Sequence, residues 1–138
     1  MKQNFNKNMR RRVNRPSFIT LPIIFTGKDK NDRDYDIESC KKIIKDLQDS
    51  DVFSKLSISL GIQKSLIEDP DSKGTLTIAR IGSIDTETWD VSVMPFTASN
   101  KYVDVIKDFV IVPHVRIGRD SNEVLSILRF EIVKAMDA

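Results

Sequence analysis

The most informative stretch for the fold of this chain is TLTIARIGSIDTETWDVSVMPF, residues 75–96. Residues 75–81 and 88–96 are rich in β-branched, apolar and aromatic side chains, which strands prefer. The segment between them, GSIDTE, is mostly polar and contains glycine and aspartate, two residues that favour turns. The stretch therefore predicts a β-hairpin, in which two consecutive strands run antiparallel.

Three further segments have the pattern of strands: residues 18–26, 56–62 and 109–117. The second alternates apolar side chains with serine and glycine, which is the pattern of a half-buried strand. The first contains Pro22, which cannot donate a hydrogen bond to a neighbouring strand, so we expect it at a sheet edge or a bulge. Pro113 interrupts the third segment, and we expect that strand to break there and resume at Val115.

Two segments are predicted to be helical. Ile37, Cys40 and Ile44 recur every three or four residues, which places them on one face of a helix over residues 36–49. Residues 101–108 predict a second, shorter helix. We expect the apolar face of the longer helix to pack on the strands and its lysines and aspartates to face outward.

The C-terminal segment, residues 122–137, fits two structures. Four apolar side chains recur at a spacing that suits a helix: Leu125, Leu128, Ile132 and Met136. Alternation over residues 124–132 suits instead a strand that pairs with the preceding one. Leu, Glu, Lys, Ala and Met are good helix formers, and for that reason we predict a helix.

These patterns predict an α+β fold. We expect a compact, β-rich single domain over residues 18–138, with mostly antiparallel strands and one to three helices. An extended basic N-terminal arm, residues 1–17, precedes it. The 138 residues fit one domain, and 40% apolar residues are enough to build a hydrophobic core.

Cysteine and hydropathy bear on the compartment. Cys40 is the only cysteine, so no internal disulfide can form, which favours a reducing environment. No apolar run approaches the roughly 20 residues that a transmembrane helix needs, so we expect no membrane partner. The expected location is a virion or the cytoplasm, and not the secreted fraction.

The net charge of +2 conceals an asymmetry along the chain. Residues 1–28 carry seven basic side chains and no acidic one, whereas the remaining residues carry 15 basic and 20 acidic ones. Such a split is typical of an interaction tail on a mildly acidic body. Six of these basic side chains lie in the arm and are the candidate contacts to a partner: Lys2, Lys7, Arg10, Arg11, Arg12 and Arg15.

Three apolar side chains of the arm, Phe5, Met9 and Val13, recur every four residues. They would share one face if the arm folded as a helix on docking, whereas the alternative is a disordered basic tail. If the arm binds protein, we expect these three anchors to be buried in the partner. If it binds nucleic acid, we expect its arginines to lie near phosphates and the anchors to matter little.

The residues that usually carry catalysis are scarce. His114 and Cys40 are single copies of their types, so one chain offers too few ligands for a common zinc site. His114 lies within an apolar strand segment, which indicates a partly buried structural histidine. Cys40 lies on the apolar helix face, which indicates an inert core thiol.

Carboxylates are the remaining candidates for catalysis, and five cluster loosely in sequence: Asp69, Asp71, Asp85, Glu87 and Asp90. Paired acids can bind Mg²⁺ or serve as acid and base. A lysine at the spacing that metal-dependent nucleases use does not follow them, so we expect solvated turn residues. The sequence therefore predicts no catalytic residue, no metal site and no cofactor.

The function that these observations favour is a non-enzymatic structural or assembly component of a large complex. A minor or auxiliary virion protein, associated with the capsid through its basic arm, is the specific expectation. Its partners would be other protein subunits, in an oligomer or a hetero-assembly. The alternative is a nucleic-acid-binding or regulatory protein whose arm contacts the phosphate backbone without sequence specificity.

Overall fold

The computed structural model describes residues 18–137, so the predicted basic arm lies outside the described residues. Six strands form one sheet: β1 (Ile19–Pro22), β2 (Ser59–Gln63), β3 (Thr75–Ile84), β4 (Asp90–Pro95), β5 (Val110–Ile117) and β6 (Val124–Val133). Three α-helices accompany it: α1 (Ile37–Asp49), α2 (Val52–Lys55) and α3 (Val103–Ile106). The predicted compact, β-rich α+β domain is confirmed.

The sheet is mostly antiparallel and curled. Its strand order is β1-β4-β3-β2-β6-β5; among these described strands only β2 and β6 pair in parallel, and an isolated parallel bridge joins Ile23 to Ile111. Just after β1, the amide of Ile23 donates to the carbonyl of Trp89 (2.8 Å) and the amide of Ile24 donates to the carbonyl of Ile111 (2.9 Å). The segment after β1 thus contacts both β5 and the residue before β4, near the two ends of the strand order. Pro22 lies in β1, an edge strand, as predicted.

The predicted hairpin is β3 and β4, which pair antiparallel. Its turn is organised by Asp85, whose carboxylate accepts hydrogen bonds from the amides of Glu87 (2.9 Å) and Thr88 (3.1 Å). Trp89 has a positive φ of 62° and belongs to the turn, so β4 begins at Asp90. Packing of Trp89 edge-on against another aromatic ring helps to hold this unusual backbone conformation.

Helix α1 forms where the apolar spacing predicts it. The carboxylate of Asp36 accepts a hydrogen bond from the amide of Glu38 (3.3 Å) and caps the first turn. Cys40 and Ile44 are fully buried on the side that faces the sheet. Helix α2 follows at once, through Asp51 with a φ of 60°, and contributes the core residue Phe53.

The prediction of a C-terminal helix is wrong, because residues 122–137 contain strand β6 instead. Two β-bulges explain the misleading pattern. His114 pairs with Arg129 and Val115 with Ile127, which leaves Leu128 unopposed. Leu125 is left unopposed in the same way three residues earlier. Each extra residue shifts the alternation of the strand, so the exposed leucines acquire a spacing that resembles a helix.

Strand β5 also differs from its prediction, because it continues through Pro113 without a break. The core fills the space inside the curled sheet and below α1 and α2, where Phe53 meets Phe130 edge-on at 6.2 Å between ring centroids. Among residues 18–137, no helix combines the length and the apolar character that crossing a membrane requires.

Candidate functional site

The site residues predicted from sequence all belong to the arm and therefore lie outside the residues that the structure describes: Lys2, Phe5, Lys7, Met9, Arg10, Arg11, Arg12, Val13 and Arg15. The described body instead presents a cleft that the sequence did not reveal. It lies on the outer face of β5 and β6, opposite the hydrophobic core.

Strand alternation places the floor of this cleft. Val112, His114 and Arg116 point outward from β5, because the residues between them are buried in the core. Arg129 and Glu131 point outward from β6 for the same reason. The floor therefore combines aliphatic, imidazole, guanidinium and carboxylate groups on two neighbouring strands.

Two segments of chain form the walls. Residues 26–30 rise on one side, and residues 63–66, at the end of β2, rise on the other. The space between them is about 540 Å³, and Val112 and Val133 lie on its floor. We call this space the apolar compartment after that floor; the charged residues Lys28, Asp29, Lys30 and Glu131 also line it. Its walls explain why Glu131 is only 9% exposed although it points away from the core.

His114 and Glu131 form a pair at the bottom of the cleft. The Nε2 atom of His114 lies 2.7 Å from the Oε2 atom of Glu131. The two residues are diagonal neighbours on the outer face, since Glu131 pairs in register with Val112 and His114 pairs with Arg129. The pair gives the buried carboxylate its hydrogen-bond partner. His114 is partly buried, as the sequence predicts, and only the strand register reveals its partner.

A second, smaller space of about 240 Å³ adjoins the first and shares His114 with it. We call it the basic compartment, because four cationic side chains line it: Lys30, Arg33, Arg116 and Arg129. Asp29 also lines it, but its carboxylate accepts hydrogen bonds from the amides of Asn31 and Arg33, each at 2.9 Å. That carboxylate therefore serves the local turn.

Arg33 fixes one wall of the basic compartment. Its Nη2 atom donates to the carbonyl oxygens of Gly118 (2.6 Å), Arg119 (3.3 Å) and Ser121 (3.2 Å). These neutral acceptors hold the loop without cancelling its charge. Within the described residues, the ion pairs join Lys28 to Asp32 and Asp34 and His114 to Glu131. Among residues 18–137, no direct ion pair therefore joins any of the four cations to a carboxylate, although the negative charge of Asp29 lies in the same compartment.

The carboxylates that cluster in sequence do not converge in space. Asp69 and Asp71 precede β3, whereas Asp85, Glu87 and Asp90 follow it, so a ten-residue strand of roughly 33 Å separates them. The backbone amides of Glu87 and Thr88 lower the pKa of Asp85. Within residues 18–137, we find no group of three or more histidine, cysteine, aspartate or glutamate side chains that could hold a metal ion.

The predicted inert thiol is confirmed. Burial raises the pKa of Cys40 to about 12, which keeps the thiol protonated at neutral pH. Comparison of the chain with protein-family models, curated proteins and solved structures found no match. The chemistry of the cleft must therefore be interpreted from its own residues. Guanidinium and ammonium groups that form no ion pair within the described residues, placed around a small recess, suit an anion such as a phosphate.

Proposed function

We propose that the protein is a non-enzymatic subunit of a larger assembly and that its basic arm contacts neighbouring molecules. The observation that supports this most directly is the division of charge. Residues 1–17 carry six basic side chains and no acidic one, whereas residues 18–138 carry 16 basic and 20 acidic ones. An acidic body attracts the basic arm of a neighbouring copy, whereas it repels nucleic acid, which is also negatively charged. An auxiliary, capsid-associated protein of a virion is the specific form of the proposal.

Exposed apolar side chains on the body support contact with protein neighbours. Leu125 is 52% exposed and Leu128 is 60% exposed, and both stand at bulges of the same strand. Apolar side chains that cluster on a surface are a common feature of protein interfaces. In the proposed assembly, this region of β6 packs against a neighbouring subunit while the arm reaches across it.

The second candidate function is nucleic-acid binding, in which the arm contacts phosphates. The basic compartment favours this alternative, because it concentrates Lys30, Arg33, Arg116 and Arg129 on a body that is acidic overall. Both candidates can hold together in a particle that encloses nucleic acid. They differ in what the arm itself contacts.

The test compares three full-length proteins by sedimentation velocity, with and without a 30-nucleotide DNA strand. One is unchanged, one carries Phe5→Ser, Met9→Ser and Val13→Ser, and one carries Arg10→Gln, Arg11→Gln and Arg12→Gln. If the arm docks on protein, the unchanged chain self-associates without DNA and the first variant reduces this association. If the arm binds nucleic acid, the second variant alone weakens a salt-sensitive complex with DNA. A monomer under every condition would contradict the assembly proposal.

A further inference from the structure

We infer that the cleft on β5 and β6 binds single-stranded nucleic acid, with a phosphate in the basic compartment and the adjoining base in the apolar compartment. This inference deepens the second candidate function and rests on the described body alone, not on the arm. It assigns a binding site to side chains that come from β5, β6, the loop over residues 26–33 and the end of β2, and it gives the body a role separate from that of the arm.

Lysine, arginine and histidine side chains surround the smaller recess. His114 and Arg116 lie two residues apart on the outer face of β5, and Arg129 lies directly opposite His114 on β6. Lys30 and Arg33 complete the compartment from the loop above. A recess of about 240 Å³ with donors on several sides surrounds a small anion, whereas a flat basic surface contacts it from one side only.

The loop that forms the wall is held in place before any ligand arrives. Arg33 binds three carbonyl groups of the β5–β6 turn, and Asp29 caps the turn within the loop. Lys28 binds Asp34 at 2.8 Å across the same loop. Because these contacts already order the loop, binding does not have to supply that ordering free energy.

The apolar compartment explains why the strand is expected to be single. Val112 and Val133 form an aliphatic floor, Leu66 lies on the wall, and charged side chains including Lys28 and Glu131 lie around them. Only an unpaired base can enter such a recess, because the bases of a duplex are stacked inside the double helix. Polar groups at its edge, including Gln63, are available to the hydrogen-bonding edge of a base.

The charge of the rest of the body makes the site selective. Residues 18–138 carry four more acidic than basic side chains, so most of their surface repels a polyanion. A strand is therefore expected to be guided to this cleft, where Lys30, Arg33, Arg116 and Arg129 outnumber the single carboxylate, Asp29, among the described residues that line the basic compartment. This restricts contact to a few phosphates.

The experiment measures fluorescence anisotropy of a labelled ten-nucleotide DNA strand over a range of salt concentrations, with the full chain. The cleft variant is Arg116→Gln with Arg129→Gln. The matched control is Lys42→Gln with Lys45→Gln, which removes the same charge from exposed positions on α1. All four substituted side chains are exposed, and thermal unfolding by circular dichroism checks that both variants fold.

We expect the cleft variant to bind the strand about tenfold more weakly at low salt, while the control changes affinity less than about threefold. The log–log salt slope should fall by about 0.7 in the cleft variant, since the cleft contacts one phosphate and each single-strand phosphate contact contributes about 0.7. Equal losses in the two variants would overturn the inference, because net charge alone would then explain the binding. Unchanged binding in the cleft variant would overturn it as well.

Further samples identify the ligand and separate the cleft from the arm. The same sequence as a duplex should bind more weakly than the single strand. Equal binding would overturn the inference that an unpaired base enters the apolar compartment. Adenosine monophosphate at millimolar concentration should displace only a little of the labelled strand. Full displacement would overturn the inference, because the cleft would then be a site for a free nucleotide. If Arg10→Gln, Arg11→Gln and Arg12→Gln abolish binding while the cleft variant does not weaken it, the arm function stands and the cleft inference fails. If the cleft variant weakens binding and the arm variant does not, the cleft inference stands and the proposed nucleic-acid contact of the arm fails.

Discussion

The second half of β6, from Phe130 to Ile132, lies between β5 and β2, whereas the first half pairs with β5 alone. The second half is regular and its inward side chains are buried in the core. The first half carries two bulges and turns Leu125 and Leu128 toward solvent. One continuous strand therefore lies in two different environments.

The first half of β6 has no described strand on its second side, and residues of helix α1 and its N-cap form hydrogen bonds there instead. The amide of Val124 donates to the Oγ atom of Ser39 at 2.8 Å, and the amide of Asp36 donates to the carbonyl of Asn122 at 2.7 Å. The bulges also set the direction of the side chains between the two halves, including Arg129. The regular half of β6 therefore contributes stability, whereas the irregular half shapes the cleft.

The largest expected change in stability comes from a substitution in the regular half of β6. Phe130→Ala removes a buried ring that contacts Phe53 and leaves a cavity, so the free energy of unfolding should fall by about 3–5 kcal/mol. Urea denaturation followed by circular dichroism measures this change. Leu128→Ala in the same strand is the control and should change stability by less than about 0.5 kcal/mol. Similar losses at the two positions would show that the halves do not differ in stability.

The next effect concerns α1, the helix that packs on β6. Burial raises the pKa of Cys40 from 9.0 to about 12, so between these values only the unfolded chain releases the proton. Rising pH therefore favours unfolding, and stability should fall by about 1.4 kcal/mol per pH unit from this group. Burial also raises the pKa of Tyr35, with the same sign.

The comparison with Cys40→Ala isolates the thiol, because both proteins retain Tyr35. Urea denaturation between pH 8.5 and about 10.5 should give a flatter dependence of stability on pH in the variant. Parallel curves for the two proteins would mean that the thiol is not shielded from water, and that α1 covers the first half of β6 less tightly than its burial indicates.

A smaller effect tests how α1 holds the start of β6. Ser39→Ala removes the acceptor of the Val124 amide and should lower stability by about 1 kcal/mol. Hydrogen exchange measured by NMR should show faster exchange of that amide, with the amide of Ile132 unchanged. Ser50→Ala is the matched control, because its hydroxyl bonds only within α1. Uniform acceleration in both halves would indicate that β6 opens as one unit.

The sequence predicts the regular parts of this fold well. The hairpin of residues 75–96 and the helix over residues 36–49 follow from short-range periodicity, and both are confirmed. Strand β6 was mispredicted because a bulge is a relation between two strands, which the periodicity of one strand does not contain. Helix α2 was missed because four residues are too few to show a helical period.

The cleft could not be predicted for the same physical reason. His114 and Glu131 are 17 residues apart, and only the register of β5 with β6 makes them neighbours. The cations of the basic compartment come from residues 30, 33, 116 and 129 and form no local motif. The available signal was the outward alternation of His114 and Arg116, which identifies one strand of the site and not its partners.

The smallest expected effect decides whether the exposed leucines contribute to the folded state at all. Leu128→Thr introduces a β-branched residue suited to a strand and removes apolar surface from solvent, so stability should change by less than about 0.5 kcal/mol. Because the leucine stands unopposed at a bulge, its side chain has no cross-strand partner to lose. If the proposed assembly uses this surface, the substitution lowers self-association in sedimentation while urea denaturation stays unchanged. A loss of stability above about 1.5 kcal/mol would instead assign the leucine to packing within the domain, and the irregular half of β6 would then share the role of the regular one.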